Sequence, residues 1–457
     1  MAEQDAAKPK RFKIRHILLG LFALLLVWLV LFRIFAYVEL SRRVRDLRAQ
    51  GYPLSLEELN ETYTLPPGAD NAADFYLTAF SYHTGPDEDA KETLPWVGKA
   101  KAPKEPGPLD PNVLVCAEQF LAANEKVLPL LHDAVASEVC YYPLDFTEVF
   151  GDGNVPWLTT VRDCARLLQL EAAVACEQGD PNRAIASVEA TMALGRSLNT
   201  PVIIHHLVSL AVRATACRSA EWIVSRVSLT DDQLQRLASY VALPAKDEGL
   251  KYAFVGERCF GAGIFRGTVS LAGHVGGPGI VMKLIVFPRK VLGFHDRDML
   301  SYIDLLQDYI DATEAPILEK IAKSNAIADG PGRTRRPGLL TRILEPAFSR
   351  IVQLDVRHVA ARRVALTALA VERYRLAEGR LPGSLSDLVP TYLEAVPEDP
   401  FDGQDLRFRR LATGYVVYSI GEDLSDDEGA DRDAEKDAKK RDADGNVLWD
   451  ITFFVTR

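Results

Sequence analysis

The chain has 457 residues, 48% of them hydrophobic, and a formal net charge of −10 at pH 7. That acidic balance excludes a general nucleic-acid binder, because phosphate contacts require a basic face. The apolar content is ample for a sizeable core, and about 400 residues beyond the amino-terminal segment are room for two or three domains or one long helical array.

Residues 1–16 form a basic segment with Lys8, Lys10, Arg11, Lys13 and Arg15, and Ile17 to Val38 is then apolar apart from Arg33. That length matches the ~20 residues that cross a ~30 Å hydrocarbon core. An arginine near the end of such a helix snorkels its head to the interface. A cleaved signal peptide, the rival reading, needs a shorter apolar region of roughly 7–15 residues and a small-residue cleavage site. Phe35, Tyr37, Glu39, Leu40, Arg42 and Arg43 supply no such site, so residues 17–38 are expected to be an uncleaved transmembrane anchor. The cations before it outweigh Arg42, Arg43, Arg45 and Arg48, which share their stretch with Glu39 and Asp46. The positive-inside rule therefore puts the amino terminus in the cytoplasm and the body outside the inner (plasma) membrane.

Residues 39–346 read as a helical domain. Leu54-Ser55-Leu56-Glu57-Glu58-Leu59 is a capping box with a hydrophobic staple, and Leu229-Thr230-Asp231-Asp232-Gln233-Leu234 repeats the device, starting a helix near Asp231. Trp157 to Gln178 carries apolar residues at helical spacing and stops at Gly179; Asp180 then caps a helix with Pro181 at its first position, running to about Leu198. A further helix fills Pro201 to Val227. The pair around Gly179 resembles one tetratricopeptide-like unit, but no copy follows at that family's period of about 34 residues, so an irregular bundle is expected. Residues 83–112, rich in Pro, Gly, Asp and Lys, read as an exposed loop. Residues 260–295 form a glycine-rich insertion leading into one buried helix or strand; a segment dipping into the membrane interface is the alternative.

No catalytic pattern stands out. His205 and His206 are adjacent and fall on different helix faces, and no H-E-x-x-H, G-x-S-x-G, P-loop or dinucleotide fingerprint is present. Glu257-Arg258-Cys259 follows a helical run, and Cys259 with His274 is the one candidate nucleophile pair. The six cysteines (Cys116, Cys140, Cys164, Cys176, Cys217 and Cys259) show neither C-x-x-C nor metal-ligand spacing. Several lie among alanines and leucines and read as small buried hydrophobes, with one or two disulfides open in an oxidising compartment.

At the carboxyl end a helix from about Ala347 closes on ArgTyrArgLeuAlaGluGlyArgLeuPro (373–382). Then come Leu385, Leu388, Val389 and Tyr392, the turn ProGluAspProPheAspGly (397–403), and Tyr415-Val416-Val417-Tyr418-Ser419-Ile420-Gly421-Glu422-Asp423. Gly379 is a left-handed helix stop, Pro382 blocks continuation, and Tyr415–Tyr418 and Leu448–Val455 have strand chemistry. The Val364, Leu366, Leu369, Val371, Tyr374 and Leu376 face of the helix is expected to pack on a small antiparallel sheet. This order, over about residues 347–457, resembles the globular domain of the major pseudopilins of bacterial type II secretion. The resemblance implies a calcium ion held before the last strand, on Asp423, Asp426, Asp427 and Asp450; hard carboxylate oxygens suit that cation. The chain departs from the family in Glu428-Gly429, in the charged stretch Ala430–Asn446, and in an amino terminus without the prepilin Gly-Phe cleavage site and glutamate.

The expected architecture is therefore mainly α. It comprises an amino-terminal transmembrane helix, an irregular helical bundle, and a small carboxyl-terminal α+β pseudopilin-like module at 347–457. Three function classes remain open: an exported scaffold or interaction protein of the bacterial cell envelope with a protein partner there, an accessory of a secretion or pilus-like system, and an unrecognised envelope hydrolase. The first is preferred because every strong signal is architectural.

Overall fold

In the computed structural model, which describes residues 11–103, 107–152, 157–242, 248–269, 293–344, 348–429 and 450–456, the apolar run lies within one continuous helix, α1 (Arg11–Ala49). It is the one helix among the described residues that is long and apolar enough to cross a membrane. Ile17 to Trp28 project clear of the rest of the chain. From there on a stripe at Phe32, Ala36, Leu40, Val44 and Leu47 becomes covered, with Leu47 fully buried. A spacing of three or four residues keeps that stripe on one helix face.

The body is helical. Short helices α2 (Leu56–Thr62), α3 (Ala72–Tyr82), α4 (Glu88–Thr93), α5 (Pro111–Ala123), α6 (Val127–Asp133) and α7 (Phe146–Asp152) precede longer ones. These are α8 (Leu158–Glu177), α9 (Pro181–Ser197), α10 (Ile203–Arg226), α11 (Asp231–Val241) and α12 (Gly249–Arg266), then α13 (Phe294–Thr313), α14 (Ile317–Asp329), α15 (Leu339–Leu344) and α16 (Phe348–Glu378). The caps fall where the sequence puts them. Asp180 accepts from the Arg183 amide at 3.0 Å, and Thr230 and Gln233 close a reciprocal box. Ser55 caps α2, but Glu58 reaches back to the Leu54 amide at 2.8 Å, one residue earlier than a standard box; Leu54 and Leu59 are both fully buried.

Two segments depart from the sequence reading. Within 83–112, Asp87 caps α4 and Leu94 is fully buried, while Trp96 meets Trp222 edge-on with ring centroids 5.4 Å apart. Polar composition there reflects capping as well as exposure. The start of the glycine-rich stretch is helix, because α12 continues to Arg266. A Cβ on Gly261 would lie 2.1 Å from the Tyr302 ring, so glycine is what lets α12 approach α13. Packing outweighs a helix penalty of about 1 kcal/mol. Residues 270–292, which include His274, lie outside the described residues.

At the carboxyl end β1 (Arg407–Leu411), β2 (Gly414–Ser419) and β3 (Ile451–Thr456) form an antiparallel sheet in the order β1-β2-β3, with Val417 opposite Phe453. The fold is thus mainly helical with a small terminal sheet. Gly379 ends α16 at φ +67°. Val364, Leu369, Val371 and Tyr374 are buried as expected, whereas Leu376 is 48% exposed and turns away from the sheet. Tyr415 donates from its hydroxyl to the Ala368 carbonyl at 3.0 Å, fixing β2 on α16.

Three apolar cores result. One lies between α3, α5, α6 and α8. A second joins α1, α2, α12, α13 and the first turns of α16. The third joins α8 to α11, the rest of α16 and the sheet, so among the described residues α16 and the sheet share one core with the bundle. Each fully buried Leu, Val or Phe in them contributes roughly 1.5–3 kcal/mol. All six cysteines are free thiols, and Cys164, Cys176, Cys217 and Cys259 are buried.

Candidate functional site

Among the described residues, polar side chains gather at the junction of α1 with the body and in the acidic loop over the sheet. At the junction α1 and α13 run side by side in the same direction, with Phe32 against Phe294 at one end and Arg43 against Asp304 farther up. Gly293, at φ +79°, sits so close that a Cβ there would lie 2.9 Å from the Arg33 Cα. Asp304 is buried on the face of α13 that also carries Ser301, Gln307 and Asp308, and its two oxygens take the Nε atoms of Arg43 at 2.7 Å and Arg335 at 3.0 Å. Arg335 also reaches Glu39 at 2.8 Å. Asp298, likewise buried, holds the Thr341 amide at 3.2 Å, pinning α15 beside the first turns of α13. Charge-assisted bonds of this kind are roughly twice as strong as neutral ones. The sequence held one signal for this lock, a lone acid at position 304 between Ile303 and Leu305, and sequence reasoning passed over it.

In the carboxyl-terminal region the Asp399-Pro400 turn and the Ser419-Ile420-Gly421 turn are in contact. Asp399, fully buried, accepts from Ser419 Oγ at 2.8 Å, the Ile420 amide at 2.9 Å, the Phe401 amide at 3.1 Å and Arg407 Nη1 at 2.8 Å. Sequence reasoning took this aspartate for a turn former only; its carboxylate is the knot of the region.

The loop after β2 folds back over the outer face of that strand, and a Cβ on Gly429 would meet Tyr418 and Val416 at about 3 Å. Asp423 accepts from the Ser425 amide at 3.2 Å, Asp426 from the Glu428 amide at 2.9 Å, and Asp450 Oδ2 from the Gly429 amide at 2.7 Å. Asp450 is 5% exposed, and its Oδ1 is a buried oxygen with no hydrogen-bond partner. Burial, together with the charges of Asp427 and Asp426, lifts its carboxyl to about 6. An orphaned buried oxygen and crowded carboxylates suit a hard cation. As the loop stands, however, no three His, Cys, Asp or Glu side chains among the described residues form a group able to hold a metal.

The other candidates are core residues. His205 Nδ1 is 2.7 Å from Thr200 Oγ1, and burial draws its ring down to about 4. His206 faces the other way, 3.2 Å from Asp355 on α16. Burial pushes the Cys259 thiol up to about 12, and it donates to the Pro53 carbonyl at 3.3 Å; a thiol held protonated in this way is a poor nucleophile. Desolvation lifts Glu257 to about 7, while the buried Arg258 binds Gln307 and lies over the Tyr52 ring. No protein-family model, curated protein or solved structure matches this chain.

Proposed function

We propose that the chain is a single-pass membrane-anchored protein of the bacterial cell envelope, and that its body is a scaffold held outside the cytoplasm for an envelope protein partner. The observation that carries this reading is the lock between α1 and α13. A helix that only tethered a freely moving domain would need no buried Asp304 bridging Arg43 and Arg335. Fixing the body to its anchor is the requirement of a protein that presents surfaces at a defined place on a membrane. The basic segment before residue 17 supports the orientation, and the resemblance of 347–457 to pseudopilins supports an envelope setting.

A carboxyl-terminal phosphatase fusion should be active and a fluorescent-protein fusion in the same place dark if the body is exported; the reverse pattern would refute the orientation. Function is tested by replacing residues 1–28 with a cleaved export signal, which leaves the stripe from Phe32 onward in place. The released body should fold yet fail to restore the phenotype of a gene deletion. Full restoration would point instead to a hydrolase acting on a diffusible substrate.

Calcium is the second part of the proposal. Asp450 would hold it through Oδ1, with Asp426, Asp427 and Asp423 drawn in from the loop. A ligand that binds only the folded state raises melting temperature by mass action. Millimolar calcium, with magnesium as control, should therefore raise the melting temperature of the full chain and fail to do so in Asp423→Ala/Asp450→Ala. No shift in the parent chain would leave the loop as a solvated acidic surface.

A further inference from the structure

The lipid-compatible face of α1 and its protein-covered face lie on opposite sides of the helix but overlap along its axis. Ile34, Phe35, Tyr37 and Val38 are each more than half exposed on one side, apolar to the end of the span. On the other side the body already touches the helix at Phe32 and Arg33, through Phe294 and Gly293. Five to six residues separate these contacts from Val38, and at 1.5 Å per residue they lie about 7–9 Å below the end of the apolar run. The first turn of α13 is therefore level with side chains that need a hydrocarbon environment.

That part of the body has the composition such a position requires. Phe294 is exposed, with its ring centroid 5.1 Å from that of Phe32, and the exposed Arg297 guanidinium lies 5.8 Å from the Phe32 centroid. Beside it, Thr341 ties α15 to Asp298 one turn further on, and the residues flanking Thr341 include the exposed Leu339 and Arg342. Exposed apolar side chains interleaved with arginines are the chemistry of a membrane interface, where rings and aliphatic chains enter the acyl boundary and guanidinium groups meet phosphates.

We propose that the body is sunk into the membrane surface: the first turn of α13 and the start of α15 form a wedge in the headgroup layer around α1, Phe294 and Leu339 reaching the acyl boundary while Arg297 and Arg342 bind lipid phosphates. This rests on the reading of 17–38 as a membrane span. The partner is a phospholipid surface, preferentially anionic, and the wedge fixes both the height and the tilt of the body.

Depth-dependent quenching in nanodiscs tests the proposal on the full chain. With Cys116 and Cys140 replaced by serine, an environment-sensitive fluorophore is placed in turn at Leu24→Cys, Phe294→Cys, Leu339→Cys and Leu376→Cys, in discs carrying nitroxide lipids labelled near the headgroup or deep in the chain. Labels at 294 and 339 should be quenched most by the shallow nitroxide, at least about threefold more than at 376, as expected for burial about 5–10 Å into the interface. The label at 24 should respond to the deep nitroxide. If 24 is quenched and both 294 and 339 behave like 376, the wedge is refuted while the span stands; if 24 is not quenched, the span fails and the wedge with it. In discs containing phosphatidylglycerol, Arg297→Glu/Arg342→Glu should lower quenching at 339 by about threefold or more, because an anionic surface attracts the two cations and repels the acids that replace them. Unchanged quenching would overturn the phosphate contacts.

Discussion

Asp304→Asn isolates the lock between α1 and the body. The substitution keeps size and shape, but in place of two charge-assisted bonds, at 2.7 and 3.0 Å, the amide oxygen accepts from one arginine while the amide NH2 faces the other donor. Hydrogen bonds to charged groups contribute about 1.5–3 kcal/mol each. Arg43 and Arg335 keep side-chain exposures of 30% and 29%, so water recovers part of the loss and the lower end applies. The expected cost is about 3 kcal/mol for detaching residues 39–49 of α1, a rise of about 150-fold in the population of the detached state. Hydrogen exchange on the full chain in nanodiscs reads this directly. Peptides covering 39–49 should lose about two decades of protection, while those of α8 to α10 stay unchanged, because opening there does not pass through the junction. A double-mutant cycle with Arg43→Ala should return a coupling of about 1–3 kcal/mol. Unchanged protection, or an equal loss across the whole body, would refute the assignment of Asp304 as a local lock.

Further outcomes follow from other contacts. Gly293→Ala, which places a methyl against the Arg33 backbone at a positive φ, should cost about 2–4 kcal/mol and raise exchange in the same 39–49 peptides. Asp399→Ala removes the acceptor shared by the Ser419 hydroxyl and the Ile420 and Phe401 amides, while Arg407 keeps Asp402, and should lower stability by about 3–5 kcal/mol in denaturant titrations, at about 1–3 kcal/mol for each buried donor left unpaired. The raised carboxyl of Asp450 gives a pH dependence of definite sign. The folded state binds its proton up to about 6 and the unfolded state only to about 3.8, so stability falls as pH rises between those values. Asp450→Asn should remove that slope and, without calcium, gain about 1–2 kcal/mol at pH 8 and nothing at pH 3 after allowance for screening. Gly261→Ala should cost about 1–3 kcal/mol by driving a methyl into the Tyr302 ring, measured as a fall in melting temperature.

What could be read from the sequence was what short-range physics controls. The apolar run, the Asp180 and Thr230 caps and the Tyr415–Tyr418 strand each depend on residues a few places apart, and they appear where expected. The junction was hidden because Arg43 and Asp304 lie 261 positions apart, and nothing local distinguishes that aspartate from a surface one. The glycines of α12 misled for a related reason. Helix propensity counts Gly261 as a break, and only the facing Tyr302 ring makes it a fit. In the acidic loop the composition was plain, but the pairing of Asp450 with the Gly429 amide depends on how the chain returns to the sheet.

Helix α16 carries a constraint of phase. Its first turns, through Phe348, Ile351 and Val352, belong to the core that holds the end of α1, and its last turns, through Leu369, Val371 and Tyr374, belong to the core that holds the sheet. At 3.6 residues per turn, one inserted residue rotates everything beyond it by about 100°. An insertion near the middle of α16 would therefore leave one set of side chains seated and swing the other out of its core. Seven added residues restore the facing to within about 20° but displace the two cores by about 10 Å along the rod. The length of this helix is thus as tightly specified as its composition, and the sheet is geared to α1 by angle as much as by contact.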